Sequence, residues 1–312
     1  MAGTRLTIKA TQPSIQFAPG VIADAIDAQR QTTDRDHQII SLLAQHQALT
    51  TEQITRVAFD SPITATHRLA LLTRRGVLAR FRRCQRPGSQ SWRYTLGTLG
   101  AMMHAAEHGQ PIPRASRVAE RILALAQSPR LEHLLGINDF FTALIGHARQ
   151  HDGCALGAWW SERQTARTVG EIVRPDGYGE WTEHERTVGF FLEYDTGTET
   201  LGRLVDKLDA YRQLADAGVH RPVLFVLPGV VRQNNLHAEI SRHPHRELVV
   251  ATVATDQLTA TGHGPAGPVW LVVGSNQRVR LIDLPAPVTA TGPAEHPPDW
   301  PDHGETDETS VA

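Results

Sequence analysis

The chain has 312 residues, 40% of them hydrophobic and 21% charged, with a formal net charge of −2. That balance suits an ordinary soluble protein long enough for two domains, and it points globally to neither a nucleic acid nor a membrane. No run of about 18 apolar residues occurs, so no membrane span is expected.

The N-terminal "MAGTRLTIKATQPS" lacks the apolar centre of a signal peptide. Cys84 and Cys154 lie far apart, without metal-ligand spacing, and read as two reduced thiols of a cytoplasmic protein. Residues 1–33 read as a flexible arm, because they begin polar and carry Pro13, Pro19 and Gly20.

The first block spans 34–100. Asp34 or Asp36 is placed to cap a helix carrying Ile39, Ile40, Leu42 and Leu43. Thr50 or Thr51 caps a short second helix with Ile54, Val57 and Ala58 on one face. "SPITATHRLALLTRRG" reads as a third helix ending at Gly76, which is suited to a C-terminal cap. "VLARFRR" and "SQSWRYTL" flank a turn at Pro87-Gly88 and predict a β-hairpin. Helix, helix, helix, hairpin is the order of a winged helix-turn-helix.

Charge agrees with that reading. From Arg56 to Arg93 there are nine arginines and one acid, Asp60, a surplus of eight positive charges. Such a cluster suits the phosphates of double-stranded DNA. The expected contacts are Arg68, Arg74, Arg75, Arg80, Arg82, Arg83 and Arg93, with Arg68 the candidate for a base edge. The alternative is a solvated basic face on a protein-binding module.

Residues 101–150 predict helices that connect two blocks; His133 and His147 read there as ordinary helix histidines. The second block, 151–285, alternates strand and helix. "CALGAWW", "TVGFFLEYD", "RPVLFVLPG" and "RELVVATVATDQL" supply strands, and "TETLGRLVDKLDAYRQLADAG" a helix with Leu201, Leu204, Leu208, Tyr211 and Leu214 on one face. This predicts a mixed α/β domain. Residues 286–312, rich in Pro and acids, read as disordered.

The second block contains a puzzle. In "FFLEYD", Glu193 and Asp195 interrupt an apolar strand, and period-2 alternation points both carboxylates the same way. Two like charges side by side cost stability unless something compensates them. Asp176, in "VRPDGY", precedes Glu193 by 17 residues and would join the pair if the two strands were antiparallel neighbours. Clustered hard oxygens suit Mg²⁺ or Mn²⁺, which would neutralise the repulsion and polarise a phosphate. Glu162, in "WWSE", is a candidate fourth ligand against a surface-acid reading. Lys207, between Leu204 and Tyr211 on the helix, can reach toward the sheet.

"RPD…FFLEYD" resembles the core of the PD-(D/E)XK nuclease superfamily. More closely, "LEHLLGINDFF", "WWSE", "RPDGY" and "FFLEYDTGTETLGRLVDKLDAYRQL" behind a winged helix resemble the actinobacterial replication-relaxation family. The resemblance covers about 34–240. It implies an α/β (α+β) fold: a winged helix-turn-helix, then a restriction-endonuclease-like mixed sheet. It also implies work on the DNA of plasmids or other mobile elements, with other replication or conjugation proteins as partners; monomer and homodimer stay open. The catalytic set it implies is Asp176, Glu193 and Lys207, with metal held by Asp176, Glu193, Asp195 and Glu162. The nuclease pattern has Lys two positions after Glu, where this chain has Asp195. Either Lys207 has taken that role from the helix, or the fold binds DNA without cutting it. A tyrosine-nucleophile relaxase would need a histidine cluster near its tyrosine; the dense group "HPHRE", at 243–247, has no tyrosine beside it.

Overall fold

The computed structural model describes residues 5–9, 31–84, 90–242, 248–260, 262 and 264–286. The Pro87-Gly88 turn, Arg86, "HPHRE" and the tail from 287 lie outside the described residues, as does the Arg83 side chain. The fold is mixed α/β, of the α+β kind, and the chain divides into two compact units, Met1–Thr142 and Ala143–Ala312.

In the first unit three helices come first: α1 (Asp34–His46), α2 (Thr51–Ala58) and α3 (Pro62–Arg74). The cap of α1 is Thr33 rather than either aspartate. Asp36 sits three positions on and accepts from the Thr33 backbone N–H at 2.8 Å, closing a capping box. Thr50 caps α2 by accepting from Gln53 N–H at 3.2 Å. Gly76, just past α3, has φ +74°, the left-handed conformation that ends a helix.

The unit's sheet has the order β1 (Arg5–Lys9), β3 (Leu78–Cys84), β4 (Arg93–Leu96), β2 (Leu49–Thr50). β3 and β4 form the expected antiparallel hairpin, and β1 pairs antiparallel with β3. Part of the supposed N-terminal arm is therefore a strand. Helices α4 (Thr98–Glu107), α5 (Ala115–Gln127) and α6 (Leu131–Ala148) follow. They join the first unit's core. Phe81 and Ala48 cluster with Ala126, Leu131 and Leu135, and Asn138 donates to the carbonyls of His46 and Ala48 at 3.1 and 2.7 Å. The boundary between units falls inside α6, at Thr142.

The second unit is a seven-stranded sheet in the order β11-β10-β9-β8-β7-β6-β5. Its strands are β5 (Cys154–Ser161), β6 (Gly177–Glu183), β7 (Arg186–Tyr194), β8 (Val223–Leu227), β9 (Val250–Ala254), β10 (Trp270–Val272) and β11 (Arg278–Val279). Strands β5, β6 and β7 are antiparallel neighbours, whereas β7, β8 and β9 run parallel. The parallel steps need crossovers. These are α8 (Leu201–Asp216) and α9 (Val230–Arg242). Two successive right-handed crossovers in one direction lie on one face of the sheet, and α8 and α9 touch each other. The short helices α7 (Glu162–Val169) and α10 (Thr255–Ala260) complete the unit. Among the described residues, no helix is long and apolar enough to cross a membrane.

The face covered by α8 and α9 holds one core cluster, and the opposite face buries Trp181, Phe190 and Leu192 as fully. Trp160, Tyr178, Phe191 and Tyr211 form a ladder from β5 through β6 and β7 to α8, with ring centroids 4.7, 5.6 and 5.5 Å apart. Leu204, Leu208 and Leu214 of α8 and Leu236 and Ile240 of α9 bury in the same cluster. The helical spacing read from the sequence of α8 is the spacing that packs.

Candidate functional site: a buried carboxylate pair under two helices

Period-2 alternation puts Phe191, Glu193 and Asp195 toward α8 and α9. Gly177 pairs with Leu192, so one step further along the ladder Asp176 stands opposite Glu193. The antiparallel neighbourhood expected for these two acids is present. Asp176 Oδ2 accepts the Tyr194 backbone N–H at 2.8 Å. Both acids are buried, Glu193 to 1% exposure.

The helices supply what the carboxylates lack. Lys207 of α8 places Nζ 2.8 Å from Glu193 Oε2 and 3.6 Å from Glu199 Oε2. The Tyr211 hydroxyl, one turn on, donates to Glu193 Oε1 at 2.6 Å. Arg232 of α9 forms a close ion pair with Asp195 through Nε and donates to Glu199 O at 2.6 Å. Asp195 Oδ1 also accepts from Gly197 N–H at 2.8 Å. Each carboxylate of the "EYD" stretch thus meets a cation from a different crossover helix.

Asp176 and Glu193 gather with Lys207, and Asp195 with Arg232, while the more exposed Glu199 meets Lys207 from the rim. Burial, and next the Asp176 charge, push the Glu193 carboxyl up to about 7 against the pull of Lys207 and Tyr211. Burial alone would lower Lys207, but Glu193, Asp176 and Glu199 outweigh it and raise its pKa. Burial and the Glu193 charge raise the Tyr211 hydroxyl well above its ordinary value, so it donates. The site is a buried carboxylate neighbourhood held by fixed donors.

The other expected ligands stand elsewhere. Asp195 does not converge with Asp176 and Glu193, because Arg232 and Gly197 occupy its oxygens. Glu162 opens α7 and is not grouped with these acids. Among the described residues, ligand atoms of three or more His, Cys, Asp or Glu side chains come within 4.8 Å of one another only at His104, Glu107 and His108. A cation between Asp176 and Glu193 would therefore have two carboxylates, with the remaining ligands from water, backbone or substrate.

Sequence reasoning missed Arg232, 37 residues beyond Asp195, because nothing local links the two. It took Tyr211 as core. The ring is core, and the hydroxyl one helical turn after Lys207 was the available signal.

In the first unit the arginines separate into two groups. Arg68 is bound to Asp36, which is fully buried, and donates to Gln31 O at 3.2 Å. It holds α3 to the start of α1 instead of projecting toward a base. Burial opposes ionisation of Asp36, yet the Arg68 and Thr33 hydrogen bonds outweigh it and hold its pKa low. Arg93 is buried, bound to Gln90 at 2.6 Å and Glu132 at 2.7 Å. Arg74 is exposed at the end of α3 and Arg75 half-buried beside it. Arg80 and Arg82, two apart on β3, both stack on the Trp92 ring, at 4.3 and 4.2 Å. The outer side of α3 presents Ile63, Thr66, His67 and Arg74.

No curated protein and no solved structure matches the chain. The model of one family, described as replication-relaxation, matches residues 40–230, more than half of the sequence and across both units. The chain belongs to the replication-relaxation family.

Proposed function

We propose that this protein binds double-stranded DNA during replication or relaxation of a plasmid or other mobile element, and cuts it with a divalent cation. The first unit serves as a winged helix. Its outer α3 face, Arg74, Arg75 and the Arg80–Trp92–Arg82 stack are a basic and aromatic surface of the kind phosphates attract. The family's description supports a role in replication or relaxation.

The second unit serves as the nuclease-like half. The observation that carries this reading is the meeting of Asp176 just before one strand, Glu193 on the next and Lys207 from the following helix. Mg²⁺ or Mn²⁺ between the two carboxylates would offset the repulsion between Asp176 and Glu193 and supply a Lewis acid for phosphodiester cleavage. Asp176 and Glu193 would hold it. With Glu193 engaged by the cation, the Lys207 ammonium is left to face the phosphate charge. Arg232 and Tyr211 fix the surrounding backbone and the Glu193 orientation. Cytoplasmic work on DNA needs no membrane element.

One observation favours a second reading. Both Glu193 oxygens already have donors, Lys207 and Tyr211, as a purely structural ion pair would. In that reading the protein binds DNA as a replication accessory factor and does not cut.

Supercoiled plasmid incubated with the protein and Mn²⁺ or EDTA separates the two. The proposal expects Mn²⁺-dependent nicking or linearisation that Asp176→Asn abolishes while DNA binding persists. Binding without metal-dependent cleavage supports the second reading.

A further inference from the structure

The first unit carries a second group of ligand-type side chains, unrelated to the carboxylate pair. It lies where α4 ends beside α1. The sequence there is "HAAEH": His104, Glu107 and His108, at i, i+3 and i+4. That spacing stacks the three side chains on one helix face. The structure brings one ligand atom from each within 4.8 Å of the others, and the two imidazole centroids lie 4.1 Å apart.

The surroundings prepare these groups for a metal. His108 Nδ1 is 2.9 Å from His104 O. A carbonyl only accepts, so Nδ1 carries the proton and the Nε2 lone pair is left for a ligand bond. His37 of α1 places Nδ1 2.6 Å from Glu107 Oε1 and Nε2 2.9 Å from Thr32 Oγ1. It orients the carboxylate through one oxygen and leaves the other. Among the described residues His104 Nδ1 is buried with no hydrogen-bond partner, a condition folded proteins rarely leave unanswered.

We infer that His104, Glu107 and His108 form a zinc-binding site, positioned by His37 from the facing helix. Two imidazoles and one carboxylate, with water completing the set, suit Zn²⁺ far better than Mg²⁺, which demands oxygen ligands. The H-x-x-E-H spacing also places paired zinc ligands on one helix in some metalloenzymes; here the convergence of the side chains carries the inference. The bound ion ties the end of α4 to α1 through the Glu107–His37 pair.

The test uses full-length protein stripped with EDTA, dialysed, and titrated with ZnCl₂ in competition with a chromophoric chelator. Wild type and Glu193→Gln should each take up one tight Zn²⁺. His104→Ala/His108→Ala should lose about 100-fold or more in affinity, and His37→Ala, which removes only the outer hydrogen bond, about 10- to 100-fold. Should the double variant misfold, Co²⁺-loaded wild type must still show the visible absorption of a four-coordinate site. Equal zinc affinity in wild type and a folded double variant, absence of tight zinc from wild type, or absence of that cobalt spectrum overturns the inference.

Discussion

Lys207 Nζ lies 2.8 Å from Glu193 Oε2, although the two residues are 14 apart and sit on different elements. The strand alone could not have carried Glu193 at 1% exposure without such a partner. Lys207→Ala should therefore destabilise the metal-free protein. A fully buried pair that loses one member costs about 3–5 kcal/mol. Lys207 is a third exposed, so screening reduces the expected loss to roughly 1–3 kcal/mol. Urea denaturation in EDTA at pH 8 measures it, and Mn²⁺ should restore most of the loss. A variant as stable as wild type would show that the pair contributes nothing.

The two units should respond oppositely to pH. Glu193, raised to about 7, keeps in the folded state a proton that the unfolded chain has released above its ordinary value of 4.5. This contribution to stability is full below 4.5 and is lost as pH rises toward 7, by roughly 1–3 kcal/mol. His46 in α1 is buried, which lowers its pKa to about 3. Its contribution is full above 6.5 and is lost as pH falls from there toward 3. Denaturation of Glu193→Gln and His46→Gln between pH 4.5 and 8 should flatten the second unit's slope in one case and the first unit's in the other. Unaltered slopes would refute the assignment.

DNA affinity should depend on the arginines at the end of α3 and on the Trp92 stack, and not on Arg68, which Asp36 holds. Replacing Arg74, Arg75 and Arg82 by Ala should lower the slope of log K against log salt by about 0.9 for each phosphate that is no longer neutralised. Arg68→Ala should instead leave Asp36 buried without its cation and cost about 3 kcal/mol of folding stability. Filter binding over a salt series and a thermal melt distinguish the two effects. A triple variant with unchanged slope, or a fully stable Arg68→Ala with altered base preference, would reverse the assignment.

A fragment of residues 1–100 should fold poorly where 1–148 folds cooperatively. The shorter piece lacks Leu131 and Leu135, which pack in the Phe81 cluster. It also exposes the His46 and Ala48 carbonyls that Asn138 satisfies, and the Gln53 amide that bonds Leu135 O at 2.8 Å. Circular dichroism melts of both fragments decide this; equal cooperativity would mean that the helices after 100 are dispensable.

Local signals were legible because local physics sets them. The 3.6-residue spacing of Leu204, Leu208 and Leu214, the period-2 strand around Phe191, the Thr50 cap and the Gly76 stop all appear where the pattern placed them. The Asp176–Glu193 neighbourhood was legible too, since the two strands are joined by a short turn. Long-range partners were not. Arg68 has the sequence position of a DNA-reading residue, yet Asp36, 32 positions earlier, lies beneath it and holds it. Asp195 has the position of a metal ligand, yet Arg232 reaches it from the next crossover. An arginine's sequence position says that it is charged, and only the fold says which acid reaches it first.

The central claim is that Asp176 and Glu193 share a divalent cation. Thermal melts with EDTA and with Mn²⁺, in the His104→Ala/His108→Ala background so that only this site responds, test it most directly. At 100 times its dissociation constant, a cation bound only to the folded state adds about 2.7 kcal/mol, a rise of roughly 5 °C or more for a unit of this size. The account predicts that rise with Asp176 and Glu193 intact, its retention in Lys207→Ala, and its loss in Asp176→Asn and in Glu193→Gln. Equal Mn²⁺ shifts in all four proteins, or no shift in any, would contradict it.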